Sequence, residues 1–160
     1  MSRDTESKKR YGFRRLFNKI LQAIAKSSLL SGYMRARLQK LRGVNFDDVS
    51  TIFLGEDVMI DGICPENVTI KNGCQIGAGT KIVTHFYDNK ELSENKDYHF
   101  RFYQGKVLIE ENVFIGFNCV IAKPVSIGKN SVLGANTVIT KDVPPDSIIV
   151  LPESINLKKV

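Results

Sequence analysis

From Ile109 onward apolar residues return every six positions: Ile109, Ile115, Ile121, Ile127, Leu133 and Ile139. Four positions after each stands a small or β-branched residue, namely Val113, Cys119, Val125, Ser131, Thr137 and Val143. Three positions after each stands a turn former: Asn112, Asn118, Pro124, Asn130, Asn136 and Asp142. Gly116, Gly128 and Gly134 directly follow three of the aliphatic residues. A six-residue period matches neither the 3.6-residue helix nor a long two-residue alternation. It predicts short strands joined by sharp turns, where Asn and Asp tolerate left-handed backbone and Gly has no Cβ to clash. Three such units close a triangular coil of about 18 residues, and coils stack at a strand spacing of about 4.8 Å. The aliphatic residues fill the prism, and each coil templates the next through backbone hydrogen bonds.

The same frame runs less regularly through Leu54 and Ile60, then Ile70, Ile76 and Ile82, with Val58, Cys64, Cys74 and Thr80 in the small slot. All three cysteines, Cys64, Cys74 and Cys119, therefore read as small buried hydrophobes rather than nucleophiles. Their number is odd and no CxxC spacing occurs, so neither a disulfide framework nor a metal site is expected.

The register is lost between Ile82 and Ile109. Residues 83–108 are polar and aromatic, cannot enter the prism, and are expected to leave it as one long loop. The break opens with Thr84-His85-Phe86-Tyr87-Asp88. A histidine at the exit from a regular coil is either a plain loop residue or a general base held on a rigid edge.

Ahead of the repeat, residues 11–42 read as helix. Phe13, Leu16, Phe17, Ile20, Leu21 and Ile24 share one face, the serines at 27, 28 and 31 with Gly32 interrupt it, and Gly43 stops it. Residues 1–45 hold twelve of the 23 Lys and Arg with only Asp4 and Glu6 as acids, within a net charge of +6. Two compatible readings follow: a helical cap over the first coil's open edge, or a peripheral contact with an anionic membrane through residues 11–42. No nucleic-acid motif appears, and the aromatics lie on the apolar face. Hydrophobic content of 42% and charged content of 25% fit an ordered globular chain. With no apolar run of about 18 residues and no signal-peptide pattern, a cytoplasmic location is expected, peripheral at the inner membrane face if the second reading holds.

The segments IGAGTKIVTHFYDN, VLIEENVFIGFNCVI and SIGKNSVLGANTVITKDVPP resemble the hexapeptide-repeat acetyltransferases, nearest to the maltose, galactoside and polysaccharide O-acetyltransferases. The resemblance covers roughly residues 46–150 and implies a mainly β fold, a left-handed parallel β-helix with an N-terminal helical extension (1–45) and a C-terminal tail (151–160). It implies acetyl-CoA as co-substrate, a hydroxyl of a sugar or polysaccharide precursor as acceptor, and a homotrimer in which His85 of one subunit faces the donor-binding coils of the next. His85 matches the family's general base. Phe117, Gly134, Ala135, Thr140 and Lys141 match positions along the donor's pantetheine arm and phosphates, although turn geometry alone accounts for Gly134 and Ala135. Asp61, about one coil before His85, lies near a polar residue of the acceptor or thioester site, and reads equally as a coil-turn residue. Tyr87 and Asp88 adjoin His85 and are candidate acceptor contacts.

After Pro144-Pro145 the chain departs from the family pattern: Glu153 and Ser154 replace the expected small and basic residues, with Lys158 and Lys159 further on. This puts the anchor for the CoA 3′-phosphate in question. N-acetylation of an amino sugar and a non-catalytic β-helix scaffold remain as alternatives. A zinc-dependent carbonic anhydrase on this fold needs three histidines, and the chain has only His85 and His99.

Overall fold

The computed structural model describes residues 13–87 and 102–151. The chain winds through four full coils and the start of a fifth. The first coil carries β1 (Asn45–Phe46), β2 (Phe53–Leu54) and β3 (Met59–Ile60). The second carries β4 (Val68–Ile70), β5 (Gln75–Ile76) and β6 (Lys81–Ile82). A two-stranded excursion, β7 (His85–Tyr87) and β8 (Phe102–Gln104), then leaves the coil. The third coil carries β9 (Val107–Ile109), β10 (Phe114–Ile115) and β11 (Val120–Ile121). The fourth carries β12 (Val125–Ile127), β13 (Val132–Leu133) and β14 (Val138–Ile139), and β15 (Ile148–Ile149) opens the fifth.

These strands form three parallel sheets, one per face: β1-β4-β9-β12, β2-β5-β10-β13-β15 and β3-β6-β11-β14. The register stacks like on like, with Leu54 on Ile76, Ile76 on Ile115 and Ile115 on Leu133. Ile60, Ile82, Ile121 and Ile139 form the matching ladder on the third face. These side chains are almost wholly buried, as the six-residue period requires. The three cysteines are also buried. Burial pushes the Cys74 thiol up to about 11, and it donates to the Glu110 carbonyl at 2.9 Å.

The corners are of two kinds. At the two that enter and leave the second face, Asn112, Asn118, Asn130, Asn136 and Asp57 adopt positive φ between 52° and 61°, as do Gly73 and Gly79 at 75° and 74°. An amide side chain tolerates this region at little cost, which explains the asparagine period. At the third corner, between the third face and the first, neither Pro124 nor Asp142 is left-handed. Here the first coil takes the longer path 61–67 and the second coil throws out the β7–β8 excursion. That excursion is an antiparallel hairpin rather than an irregular loop, pairing His85 with Gln104 and Phe86 with Tyr103. The parallel register resumes at Val107, two residues earlier than the aliphatic ladder alone indicates.

The N-terminal segment forms α1 (Phe13–Ala25) and α2 (Gly32–Arg42). Ser31 caps α2 by accepting from the Met34 N–H, and Gly43 ends it at φ 112°. Both helices cover the open edge of the first coil. In the stack, strand carbonyls of one coil accept from N–H groups of the coil before it, as that of Cys74 does from Phe53, and the first coil has no predecessor. Helix side chains replace it: Arg35 Nη1 donates to the Leu54 carbonyl at 3.2 Å and Gln22 Nε2 to that of Val58 at 3.1 Å. Arg42 donates to the carbonyls of Ile60 at 3.1 Å and Asp61 at 2.9 Å.

α1 packs through one flank of its apolar stripe, with Leu21 turned in and the rest of the stripe turned out. Asn18, Leu21 and Ala25 are buried, whereas Phe13, Leu16, Phe17, Ile20 and Ile24 are 42–84% exposed. Beside these buried side chains Gln22 supplies the donor that the Val58 carbonyl needs, which an aliphatic side chain cannot.

Candidate active site

The third corner brings Asp61 and His85 together. Asp61 closes β3 in the first coil and His85 opens the hairpin in the second, and their side chains meet with His85 Nδ1 2.7 Å from Asp61 Oδ2. Asp61 is the anchor. Its side chain has no solvent exposure, while that of His85 is 32% exposed. Oδ1 accepts the N–H groups of Ile63 at 2.7 Å and Cys64 at 3.2 Å. Oδ2 accepts both the N–H and the hydroxyl of Thr84, at 2.8 and 2.7 Å. Burial by itself would raise the pKa of this carboxyl. The hydrogen bonds from Ile63, His85 and Thr84 outweigh it and hold the group at about 2. Asp61 is thus an anion near neutral pH, and it fixes the tautomer of its neighbour: Nδ1 carries the proton toward the carboxylate, and Nε2 carries the ring's lone pair.

Backbone geometry holds the ring in place. Thr84 is fully buried, and its carbonyl accepts the Gly105 N–H at 2.9 Å across the root of the hairpin. One residue further, Phe86 and Tyr103 stack with ring centroids 5.3 Å apart. A partly exposed imidazole on a rigid corner, oriented by a buried carboxylate, can remove a proton from a bound hydroxyl or amine.

The other sequence-identified positions fall on both edges of the third sheet. Thr140 and Lys141 are exposed at the third corner of the fourth coil, two coils beyond His85, or about 10 Å along the axis. Phe117 is 59% exposed at the opposite edge of that sheet, where the second and third faces meet. Gly134 and Ala135 occupy the same edge one coil on, with the Asn136 N–H donating to the Phe117 carbonyl at 2.8 Å. Tyr87 closes β7. Asp88 lies outside the described residues, as do His99, Glu153, Ser154, Lys158 and Lys159. Asp61 lies behind His85 with its carboxylate buried.

Two glycines differ in how strictly stacking demands them. A Cβ at Gly116 would lie 2.6 Å from the Ala135 backbone nitrogen, so stacking demands glycine there. At Gly134 the nearest atoms are a Val150 methyl at 3.1 Å and the Ile149 carbonyl oxygen at 3.3 Å, a softer constraint from the next coil.

Two contributors escape sequence reading. Thr84 supplies two of the carboxylate's hydrogen bonds, and Arg42 reaches up from α2 to the carbonyl of Asp61 itself. The THFYD pattern marks Thr84 only as a neighbour of the histidine. Arg42 lies outside the repeat altogether.

A family profile described as the hexapeptide repeat of succinyl-transferase matches residues 106–141. The chain is 37% identical over 123 residues to the bifunctional protein GlmU of Syntrophomonas wolfei, covering 74% of this chain and 24% of that protein. It thus spans about a quarter of the length of that curated relative. Among solved structures, a hexapeptide-repeat-containing acetyltransferase from Vibrio cholerae superposes with a TM-score of 0.61 at 27% identity, covering 84% of each chain. A galactoside acetyltransferase in complex with coenzyme A superposes with a TM-score of 0.59 at 27% identity, covering 84% of this chain and 74% of the other. The hexad register, the three stacked parallel sheets and these matches give the chain the hexapeptide repeat and the left-handed β-helix fold of the acetyltransferases it resembles.

Proposed function

We propose that the protein transfers an acetyl group from acetyl-CoA to a hydroxyl of a sugar or glycan precursor, with His85 as general base. The observation that carries this reading is the His85–Asp61 pair, an imidazole on a rigid exposed corner held by a buried anion. Likeness to a galactoside acetyltransferase bound to coenzyme A and to a Vibrio cholerae acetyltransferase complexed with acetyl-CoA supports the choice of donor and acceptor class. In the reaction, His85 Nε2 takes the proton as the acceptor oxygen attacks the thioester carbonyl. A C–O bond forms, the C–S bond breaks, and the proton passes from Nε2 to the departing thiolate. Asp61 steadies the imidazolium between the two transfers. Phe117, Gly134 and Ala135 line the donor's path, and Lys141 offers a point charge to a phosphate.

His85 and the Phe117–Ala135 edge lie on opposite sides of the third sheet, a span on the order of 15 Å at normal strand rise. A donor lying along one edge reaches the histidine of a neighbouring prism more readily than its own. The site is therefore read as intersubunit, in a homotrimer.

The test is a thiol-release assay with purified full-length chain, acetyl-CoA and a panel of sugars and amino sugars. Turnover with hydroxyl acceptors is expected. Turnover with amino sugars alone would move the reading to N-acetylation, and donor binding without turnover on any acceptor would favour a scaffold.

The exposed face of α1 supports a location for the acceptor. Arg14, Arg15 and Lys19 border its apolar stripe, and residues 13–45 contain no acid. An anionic lipid surface complements this charge, whereas a second copy of the same face would bring like charges together. Cosedimentation with vesicles containing phosphatidylglycerol, but not with phosphatidylcholine alone, is expected, and Leu16→Asp with Ile20→Asp should abolish it. Self-association lost in that double variant, without vesicle binding, would assign the face to a second copy instead.

A further inference from the structure

Beneath Asp61 lies a charged side chain that the transfer scheme does not use. Arg42 is 1% exposed. Its Nη1 donates to the Ile60 carbonyl at 3.1 Å and its Nη2 to the Asp61 carbonyl at 2.9 Å. Nη1 also contacts the side-chain oxygens of Gln22 and Gln39. The two main-chain carbonyls belong to the peptide groups on either side of the Asp61 Cα. One planar guanidinium therefore fixes both peptide planes, and with them the direction in which the Asp61 Cβ points.

We propose that Arg42 is a positioning residue for the Asp61–His85 pair, a role that rests on the acetyl-transfer reading. Capping the coil edge does not by itself call for this side chain. Gln22 caps the Val58 carbonyl as a neutral amide, without burying a charge. Arg42 carries that cost: burial lowers its pKa to about 10, with the charge of Asp61 partly offsetting it. Its Nε has no hydrogen-bond partner among the described residues. What the guanidinium supplies is a rigid two-pronged donor, which neither an amide nor an ammonium reproduces. A carboxylate displaced by a fraction of an ångström would mis-aim the imidazole it holds.

Arg35 provides the internal control. It is 4% exposed, springs from the same helix, and caps the Leu54 carbonyl at 3.2 Å, at the edge of the prism away from His85. The experiment compares full-length Arg42→Met, Arg42→Lys and Arg35→Met with the unaltered chain. It measures kcat and KM for acetyl transfer, thermal stability, and the ring-nitrogen NMR shifts of histidine. The chain has only two histidines, and His85→Gln assigns them. Arg42→Met should lower kcat roughly 10–100-fold with KM changed little. It should also erode the Nδ1-protonated signature of His85. Arg42→Lys, which keeps the charge and loses the fork, should fall between and carries the test if the Met variant folds poorly. Arg35→Met should lose comparable thermal stability and keep both kcat and the ring signature. Normal kcat and ring signature in Arg42→Met, or equal damage from Arg35→Met, would overturn the proposal and leave Arg42 as a cap. If the unaltered chain transfers no acetyl group, the activity reading fails by itself and the ring-nitrogen shifts alone decide the positioning role.

Discussion

Two of the prism's three corners repeat, and the third does not. The repeating corners are built from left-handed asparagines and glycines that hand a hydrogen bond from coil to coil, as Asn118 N–H does to the Ala78 carbonyl at 2.9 Å. Apart from the first coil's 47–52, which takes in a 3₁₀ turn at Val49–Thr51, each is interchangeable with the one above it. The third corner holds Asp61 behind a seven-residue detour, His85 at the root of a hairpin, and Thr140 and Lys141 on a short exposed turn. The difference is one of constraint. A corner bonded to the corner above and below cannot change length without breaking the stack, whereas a corner that never enters the left-handed region can lengthen freely. The path 61–67 and the β7–β8 excursion both fall at the corner that stays out of the left-handed region, and the Asp61–His85 pair sits there.

That contrast can be broken from either side. The largest stability effect belongs to the stack: Ile115→Ala, at a fully buried rung, should cost about 2–5 kcal/mol, measured by denaturant unfolding. Activity per folded molecule should then be little changed. Asp61→Asn reverses the pattern, lowering kcat by about 10²-fold with the β-helix intact by circular dichroism. Acid titration sharpens the same point. Asp61 is held at about 2, below its ordinary 3.8. Because the folded value is the lower one, this group stabilises the fold fully above about pH 4, and the contribution is lost as pH falls through about 2. Unfolding free energy measured over that window should fall less steeply in Asp61→Asn than in the unaltered chain. The smallest effect is expected at a repeating corner, where Asn118→Ala should cost about 1 kcal/mol, because alanine enters the left-handed region less readily.

The fold was legible because a six-residue period calls for short strands joined by sharp turns, and the unbroken run from Ile109 to Ile139 obeys it. His85 was legible as the residue at which the period stops. Asp61 was legible only as a neighbour one coil away. Its burial depends on the path of residues 61–67, which departs from the hexad and leaves no periodic signal. Arg42 was invisible for a related reason: its contacts are with backbone carbonyls, and no side-chain pattern records an orphaned carbonyl. The stripe on α1 was correctly placed on one face of the helix, yet periodicity does not say which way a face points. Here the flank carrying Asn18, Leu21 and Ala25 turned in, and Gln22 beside it supplies a donor to the coil edge.

The most direct test of the third corner as the active site pairs two readouts on one variant, His85→Ala. Acetyl-CoA binding is followed by calorimetry and transfer to a sugar acceptor by thiol release. The expected result is donor binding like that of the unaltered chain, with turnover reduced about 10²–10⁴-fold. Turnover that survives the loss of His85 would contradict the account and place the base elsewhere.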